Sequence, residues 1–407
     1  MFDKTLSIIM AGGIGTRLHP LTADRAKPAV PFGGKYRIID FTLTNCLHSK
    51  LRRVLVLTQY KSQSLQKHLL DGWAIFSSEI SEYIMLVPPQ MRTGESWYVG
   101  TADAIFQNMY LIERSDPHYV LILSGDHIYR MDYAAMLQFH HNQQAELTVA
   151  CMQVPLASAS AFGVMSVDHD QRISEFNEKP QQPQPMPGNP HSALVSMGIY
   201  VFNRELLCHA LQADHELVSS SHDFGKDIIP KLIQTHKVCA YRFGGEAGRV
   251  TPDQYWRDVG TIDSYYAANM DLLDPVPPMN LYQPDWPIRT YHEQNPPARM
   301  VRGTSGHEGQ LVNSLISSGS VICGGNVRHS ILFPQVHVDE HAVVEDSILF
   351  SGVSVGAGVQ LRRCIVDKNV HIPPGEQIGF DAAADAARFT RSESGITVIP
   401  KGYRFIP

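Results

Sequence analysis

The chain contains no apolar stretch long enough to cross a membrane and no run of basic residues. A membrane-spanning helix needs about 20 consecutive apolar residues, so we expect no membrane-embedded segment. The formal net charge is −6 at pH 7, with 34 Lys and Arg against 40 Asp and Glu. A nucleic-acid-binding surface requires an excess of positive charge, so we expect no nucleic-acid partner.

Cysteine is sparse, and no two cysteines have the CxxC spacing of a zinc or redox site. Scattered cysteines of this kind are typical of reduced thiols in a reducing compartment. The N-terminus also lacks the charged and apolar regions of a secretion signal. We therefore expect a cytoplasmic protein without disulfides.

The first part of the chain alternates predicted strands and helices, which is typical of a doubly wound α/β sheet, mixed or mostly parallel. At 407 residues the chain is long enough for two domains. The strands are predicted over 6–10, 54–57, 119–123, 146–154, 162–167 and 196–202. The helices are predicted over 62–70, 101–114 and 261–273.

Prolines crowd the stretch that follows, between residues 274 and 299. Proline fixes φ and removes a backbone donor, so neither helix nor sheet can persist there. We interpret the stretch as an ordered linker with Tyr282 and Trp286 packed against the surface. The predicted domains are therefore 1–274 and 299–407, joined by a linker over 275–298.

Beyond the linker, aliphatic residues recur six positions apart, as in Val338 and Val344 or Val353 and Val359. A six-residue period predicts a left-handed parallel β-helix built from hexapeptides, whose coils bury the repeating aliphatic side chain. A β-sandwich remains the alternative. Because stacked coils need partners and capped ends, such a domain usually contributes oligomer contacts.

A glycine-rich turn follows the first predicted strand, within the stretch 6–31. Gly12, Gly13 and Gly15 allow positive φ and carry no Cβ, so backbone N–H groups can approach an anion closely. Arg17 and Lys27 supply two cations within reach of that anion. The pattern indicates a phosphate-binding loop, and a solvated surface turn is the alternative. The glycine spacing of this turn matches neither the dinucleotide-binding fingerprint nor a Walker P-loop.

Several longer motifs accompany this turn, namely GGIGTRLHPLTADRAKPAVPFGGKYRIIDF, WYVGTAD, GDH, FNEKP, WRDVGT, WPIRTY and RSESGI. Together they closely resemble the sugar-1-phosphate nucleotidylyltransferases over nearly the whole chain. Within that family they are most similar to the bacterial members that form ADP-glucose from ATP and glucose 1-phosphate for glycogen synthesis. The resemblance implies Mg²⁺-dependent in-line attack on the α-phosphorus, a homotetramer and regulation by anionic metabolites.

Two aspartates are candidate metal ligands. Asp126 ends a predicted central strand, where open α/β sheets bind ligands, and Asp258 lies in WRDVGT. Carboxylates suit Mg²⁺, although a turn or helix cap is a common role for such residues. The resemblance implies that both hold the metal and that Arg17 and Lys27 contact the triphosphate. We expect His127 to be a neighbour of the metal rather than a ligand.

The resemblance also assigns a sugar-phosphate side to the site. Lys179 would bind the phosphate of glucose 1-phosphate, and Glu178 would accept hydrogen bonds from sugar hydroxyls. Ser196 and Gly163 match other sugar-side positions of the family.

The nucleotide side is predicted around the start of the helix at 101. Gly100 and Thr101 would offer free backbone N–H groups and a close approach to a flat base. Gln90 could recognise the base edge through its amide, and Tyr98 could stack or pack nearby.

Regulatory sites are implied by the resemblance alone. Family members commonly bind anions where their two domains meet, and the candidate cations here are Arg25, Arg37, Arg362 and Arg363. Asp24 stands where family members often carry lysine, and it would repel an anion. We expect a weakened or altered activator response, which strong activation by fructose 1,6-bisphosphate would contradict.

Other functions remain open from the residues alone. No candidate pair for covalent catalysis emerges, and base recognition does not separate ATP from UTP or dTTP. A non-catalytic regulatory subunit is a further alternative. Acyl transfer on the β-helix would need a placed histidine, and the candidates are His329, His337, His341 and His371.

Overall fold

The computed structural model describes residues 4–90, 97–245 and 254–405. A mixed β-sheet with flanking helices, here called the sheet region, comes first. A proline-rich linking segment over 274–298 leads to stacked parallel coils, here called the β-helix region. Within the described ranges, no helix combines the length and apolar character needed to cross a lipid bilayer.

The strands and helices of the sheet region follow one another as the alternating pattern predicts. The strands are β1 (Thr5–Ala11), β2 (Pro31–Phe32), β3 (Tyr36–Arg37), β4 (Arg53–Thr58), β5 (Tyr83–Val87), β6 (Tyr119–Ser124), β7 (His127–Tyr129), β8 (Leu147–Pro155), β9 (Gly163–Val167), β10 (Ile173–Glu178), β11 (Ser192–Asn203), β12 (Val238–Arg242) and β13 (Trp256–Asp258). The helices are α1 (Ile38–His48), α2 (Gln63–Trp73), α3 (Thr101–Phe106), α4 (Met109–Ser115), α5 (Tyr133–Asn142), α6 (Arg204–His215), α7 (Ile229–Thr235) and α8 (Ile262–Met270).

The sheet is mixed, with a parallel centre. Its main path runs β10-β9-β11-β6-β1-β4-β5, while β8 pairs with β11 and β12 pairs with β8. Strands β6, β1, β4 and β5 are parallel to one another, whereas β11 is antiparallel to β6. Successive β1 residues such as Ile8 and Ile9 enter separate hydrophobic cores on the two faces. Burial on both faces explains the nearly continuous apolar sequence of the central strands.

The predicted helix over 101–114 is wrong in one respect, because the chain forms two helices there. Helix α3 ends at Phe106 and α4 begins at Met109. Between them, Asn108 donates its side-chain amide to the Ala104 carbonyl at 2.8 Å. A short amide side chain that bonds a nearby carbonyl competes with the helical backbone. This contact accompanies the break between α3 and α4.

The linking segment is packed against the sheet region along part of its length. Trp286 is 1% exposed and donates its indole N–H to Asn45 Oδ1 at 3.2 Å. Thr290 donates its hydroxyl to buried Asp40 at 2.7 Å. The predicted packing is thus confirmed for Trp286. It is wrong for Tyr282, which is 78% exposed.

The β-helix region consists of three parallel sheets wound by the same chain. One contains β14 (Arg299–Val301), β17 (Val321–Cys323), β20 (His337–Val338), β23 (Ser354–Val355) and β26 (His371–Ile372). The second contains β15 (Gln310–Val312), β18 (Asn326–Arg328), β21 (Val343–Glu345), β24 (Gln360–Arg362) and β27 (Gln377–Ile378). The third contains β16 (Leu315–Ile316), β19 (Ile331–Leu332), β22 (Ile348–Leu349), β25 (Cys364–Val366), β29 (Thr397–Ile399) and β28 (Thr390–Arg391). Helix α9 (Ala382–Arg388) lies between β27 and β28.

The strands of this region pair in parallel with the strand one coil away, except β28, which pairs antiparallel with β29. Val321 pairs with His337 in the next coil, His337 pairs with Ser354, and Ser354 pairs with His371. A β-sandwich would instead pair antiparallel neighbours, so that alternative is wrong. The repeating aliphatic side chains fill the interior. The arrangement is consistent with the predicted left-handed β-helix.

A ladder of side chains closes one corner of the coils. Ser314 Oγ accepts from Ser330 N, Ser330 Oγ from Ser347 N, and Ser347 Oγ from Cys364 N, each at 3.1 Å. Each of these hydroxyl oxygens thus accepts a hydrogen bond from a backbone N–H of the next coil. Buried polar groups of this kind must be paired, which accounts for small polar residues between the aliphatic ones.

Candidate active site at the ends of the central strands

The glycine turn after β1 opens toward a cavity. Gly15 has φ of 65°, in the left-handed region that favours glycine. A Cβ on Gly13 would meet nothing within 4 Å, whereas one on Gly12 would lie 3.1 Å from Gln59 Cβ. Positive φ is therefore present at Gly15 and not at Gly12 or Gly13, which corrects the expectation for those two residues. Gly12 instead allows Gln59 to approach closely.

Asp126 lies beside this turn because β1 and β6 are parallel neighbours. Met10 pairs with Ser124, so the carboxyl ends of both strands meet at one edge of the sheet. Gly125 follows β6, and a Cβ there would lie 2.9 Å from Ile9 Cγ2. The chain can thus turn tightly at Gly125 and carry Asp126 over the strand end. Ser124 donates its hydroxyl to Asp126 Oδ1.

Asp258 reaches the same place through a two-stranded pairing. Strand β13 is antiparallel to β7, and Asp258 is directly opposite His127. Asp126, His127 and Asp258 offer ligand atoms within 4.8 Å of one another. They are the one group of three or more potential metal ligands among residues 4–90, 97–245 and 254–405. The two predicted aspartates therefore converge.

Lys27 stands between the two carboxylates. Its Nζ lies 2.8 Å from Asp126 Oδ2 and 2.9 Å from Asp258 Oδ1. Burial opposes the charged ammonium, but the two carboxylates outweigh burial and raise the pKa of Lys27. Burial likewise opposes the Asp126 carboxylate, but Lys27 above all holds the pKa of Asp126 well below its usual range. The site therefore stabilises one cation between two anions.

The donor set at this point suits a divalent cation. Carboxylate oxygens are the ligands that Mg²⁺ prefers, and the Lys27 ammonium already shows that a positive charge fits between them. His127 is different. Burial lowers the pKa of His127 and favours the neutral ring, and its ring packs at 4.8 Å from that of Trp256.

A cavity of about 590 Å³, here called the strand-end cavity, extends from the glycine turn past these charges. Arg17 lies in its wall, and Nη2 of Arg17 is 3.3 Å from where a Cβ on Gly260 would be. The same Cβ would lie 3.1 Å from both carboxylate oxygens of Asp258. The absence of a side chain at Gly260 thus lets Arg17 lie close to Asp258.

The glutamine in the cavity wall is not the predicted one. Gln90 is exposed and donates its amide to the Pro88 carbonyl at 2.9 Å, outside the lining of the strand-end cavity. Gln59 lines the cavity instead. Its position directly after β4, parallel to β1, could have indicated it. Tyr98 also lines the cavity, and its hydroxyl accepts from Asn108 at 2.9 Å.

Gly100 and Thr101 line the cavity as predicted, and another segment of the chain approaches Gly100 closely. The Ala102 N–H at the start of α3 donates to the His222 carbonyl at 2.8 Å. A Cβ on Gly100 would lie 2.3 Å from that carbonyl oxygen. The lack of a side chain at Gly100 therefore lets the His222 carbonyl approach, and the approach of a base to Gly100 stays a prediction.

The predicted sugar-side residues cluster at one end of β10. Lys179 Nζ is 3.2 Å from Glu178 Oε1 and its side chain is 66% exposed. Lys179 also has φ of 46°, an uncommon conformation for a non-glycine residue. A Cβ on Gly163 would lie 2.8 Å from Glu178 Oε2. Ser196 is buried on β11, where its hydroxyl accepts from Gly198 N at 3.2 Å.

The nucleotidyl transferase family matches residues 6–275, and the GlmU-like C-terminal hexapeptide family matches 296–399. Glucose-1-phosphate adenylyltransferase 2 of Vibrio cholerae serotype O1 is 61% identical over 403 residues, covering 99% of each chain. The glucose-1-phosphate adenylyltransferase of Nitrosospira multiformis is 50% identical over 397 residues, covering 97% of this chain and 93% of the relative. The chain belongs to the glucose-1-phosphate adenylyltransferase family.

Membership in this family confirms the resemblance drawn from the motifs, and it makes the chain an enzyme of the nucleotidyltransferase class. Nucleotidyltransferases of this family generally depend on a divalent metal ion. The family also has the hexapeptide repeats that the six-residue period predicts.

The predicted regulatory arginines of this adenylyltransferase family member occupy different environments. Arg25 is buried and its Nη2 is 2.8 Å from buried Asp367 of the β-helix region. Arg37 donates to the Ser64 carbonyl at 2.9 Å. Arg362 is exposed, 3.9 Å from Glu345, and Arg363 donates to the Ser394 carbonyl at 3.0 Å.

A cleft of about 970 Å³ lies between the two regions, and Arg37 lines it with Lys35 and Lys368. Burial, and then Arg37 and Arg25, lower the pKa of Lys368 to about 8. Lys368 was not among the cations predicted from the sequence, because no motif distinguishes it there. Asp24 lies 3.7 Å from Lys401 Nζ, so its charge is partly offset.

Proposed function

We propose that this chain transfers the adenylyl group of ATP to α-D-glucose 1-phosphate, giving ADP-glucose and pyrophosphate for glycogen synthesis. The observation that carries the proposal is the convergence of Asp126 and Asp258 around Lys27, beside an open glycine turn. The names of the similar proteins, glucose-1-phosphate adenylyltransferases, support the same reaction. An adenylyl transfer needs this combination of anion-binding backbone and paired charges.

The reaction needs no covalent intermediate in this proposal. A phosphate oxygen of glucose 1-phosphate attacks the α-phosphorus of ATP, the new P–O bond forms, and the bond to pyrophosphate breaks. The sugar phosphate is ionised at neutral pH, so no general base is required. Catalysis then rests on positioning and on neutralising the developing charge.

Each charged residue has a separate task. Arg17 and Lys27 bind the β- and γ-phosphates and the departing pyrophosphate, while the glycine turn of Gly12, Gly13 and Gly15 holds the triphosphate backbone. Asp126 and Asp258 would hold Mg²⁺. When bound, Mg²⁺ would neutralise charge on the phosphates at the reacting centre.

The two substrates occupy opposite sides of Asp126. Gln59, Tyr98, Gly100 and Thr101 line the nucleotide side. Lys179 binds the phosphate of glucose 1-phosphate, and Glu178 accepts hydrogen bonds from sugar hydroxyls. Ser196 and Gly163 complete the sugar side.

We also propose the division into a catalytic domain over 1–274, a linker over 275–298 and a β-helix domain over 299–407, assembled as a homotetramer. The β-helix domain would supply subunit contacts. Anionic metabolites would bind between the domains, near Arg37. Arg25, Arg362 and Arg363 remain further candidates for that site.

A pyrophosphate-release assay on the purified chain tests the proposed reaction. ATP, UTP and dTTP are supplied separately with glucose 1-phosphate and Mg²⁺, and ADP-glucose is identified by mass spectrometry. We expect ATP to be used at least tenfold more efficiently than the others. A preference for UTP or dTTP would favour the alternative nucleotide specificity. Absence of turnover with all three would favour a regulatory subunit.

A further inference from the structure

One loop, residues 220–226, lies between the two sides of the proposed site. On the nucleotide side, its His222 carbonyl accepts from Ala102 N at the start of α3, at 2.8 Å. On the sugar side, a Cβ on Gly225 would lie only 2.3 Å from Glu178 Oε2. Between these contacts, Asp223 lines the strand-end cavity. The loop therefore touches elements that serve both substrates.

The hydroxyl of Thr101 joins α3 to this loop by two hydrogen bonds. It donates to Asp223 Oδ2 at 3.1 Å and accepts from the Phe224 N–H at 3.1 Å. The other carboxylate oxygen, Asp223 Oδ1, accepts from the N–H groups of Gly225 and Lys226. One carboxylate thus holds the turn at 224–228 and the first residue of α3 together. A side chain that both donates and accepts is required at Thr101.

A second set of hydrogen bonds holds the loop against α6. Asp214 is 3% exposed, and its Oδ2 is 2.7 Å from His222 Nδ1 while its Oδ1 accepts from Ser220 at 2.7 Å. These bonds hold the loop on α6. The contact that sets the loop relative to α3 and the nucleotide side is therefore made at Thr101 and the adjacent Ala102.

We propose that Thr101 is a positioning residue that links the two substrate sites, so that ATP binding strengthens glucose 1-phosphate binding. The inference rests on the proposed function. A nucleotide that orders the start of α3 orders Asp223 through the Thr101 hydroxyl. The ordered loop then supports Glu178 from the Gly225 side. Linkage requires that each substrate improves the affinity for the other by the same factor.

The test measures binding rather than turnover. The ligand is an ATP analogue that cannot be cleaved between the α- and β-phosphates. Calorimetry on the full-length chain gives the Kd of this analogue with and without glucose 1-phosphate. It also gives the Kd of glucose 1-phosphate with and without the analogue. We expect a coupling factor of about tenfold in the unmodified chain, within the usual range for linked sites. We expect Thr101→Val to reduce the factor to near one, and Thr101→Ser, which keeps the hydroxyl, to retain it.

A matched control removes the same kind of bond elsewhere. Thr304 donates its hydroxyl to Glu340 at 2.6 Å in the β-helix region, and we expect Thr304→Val to leave the coupling factor unchanged. Thr101→Ala serves in place of Thr101→Val should the latter fail to give a native circular dichroism spectrum.

The outcomes are distinguishable. Undiminished coupling in both Thr101→Val and Thr101→Ala, or loss of coupling in Thr101→Ser, overturns the proposal. Independent binding of the two ligands to the unmodified chain also overturns it, while leaving the proposed function intact. If the unmodified chain binds neither ligand, the proposed function itself fails and this inference fails with it.

Discussion

The sheet region and the β-helix region bury their polar groups in opposite ways. At the strand ends of the sheet region, Lys27, Asp126 and Asp258 bring three charges from distant parts of the chain into contact. In the β-helix region, the interior is aliphatic and the buried hydroxyls of Ser330 and Ser347 pair with the adjacent coil. Chemistry thus depends on long-range assembly, whereas the repeat depends on nearest neighbours.

The two regions meet at a buried ion pair, which gives the largest expected effect. Asp367 and Arg25 are only 2% and 5% exposed. Removing one partner leaves the other charge buried and unpaired, so we expect Asp367→Ala to lower the free energy of unfolding by about 3–5 kcal/mol. Urea denaturation monitored by fluorescence measures this change.

The control for that prediction lies in the same region. Glu345 is partly exposed and 3.9 Å from Arg362, so Glu345→Ala should lower the free energy of unfolding by less than about 1 kcal/mol. Equal losses in the two variants would show that Asp367 does not join the regions energetically.

Acid should weaken the sheet region through His140, which is buried between Thr148 and Asn203. Burial lowers the pKa of His140 from 6.5 to about 4. Between these values the unfolded chain binds more protons than the folded chain, so stability falls as pH falls. We expect a total loss of about 3 kcal/mol from this residue.

Urea denaturation at several pH values from 7 to 4 checks the effect. His140→Gln cannot take up the proton, so its stability should depend less steeply on pH than that of the unmodified chain. Parallel curves for the two proteins would contradict the assignment to His140.

The charged centre predicts the next largest effect. Asp126→Ala should lower kcat by roughly 10²-fold or more, the order found when one contact to the transition state is lost. Asp339 in the β-helix region is a partly exposed aspartate that pairs with His337 at 2.8 Å, and Asp339→Ala should leave kcat unchanged. Near-normal turnover of Asp126→Ala would show that Asp126 does not belong to the catalytic site.

The smallest effect is expected on the sugar side. Lys179 is largely exposed, and its charge is present before the reaction begins. Lys179→Gln should therefore raise KM for glucose 1-phosphate roughly tenfold with a smaller change in kcat. Lys401→Gln, an exposed lysine near Asp24, is the control. A rise in KM for ATP instead would reverse the assignment of the two substrate sides.

Local patterns predicted the alternating class of the sheet region and the coils of the β-helix region, but they did not indicate helices α1, α5, α6 and α7. The apolar runs correctly indicated β1, β4 and β6, and the six-residue period indicated stacked coils. The predictions failed where a side chain interrupts a pattern, as Asn108 does between α3 and α4. They also failed where packing against a distant segment decides exposure, as for Tyr282.

By itself, the sequence determined the coils of the β-helix region and the glycine turn after β1, because spacing along the chain directly encodes both. Only the tertiary structure decided that Gln59 rather than Gln90 lines the cavity and that Gly100 lies against the His222 carbonyl. The pairing of β7 with β13 likewise decided that Asp258 meets Asp126. Contacts of this kind depend on strand register and burial across the whole fold, which no local spacing contains.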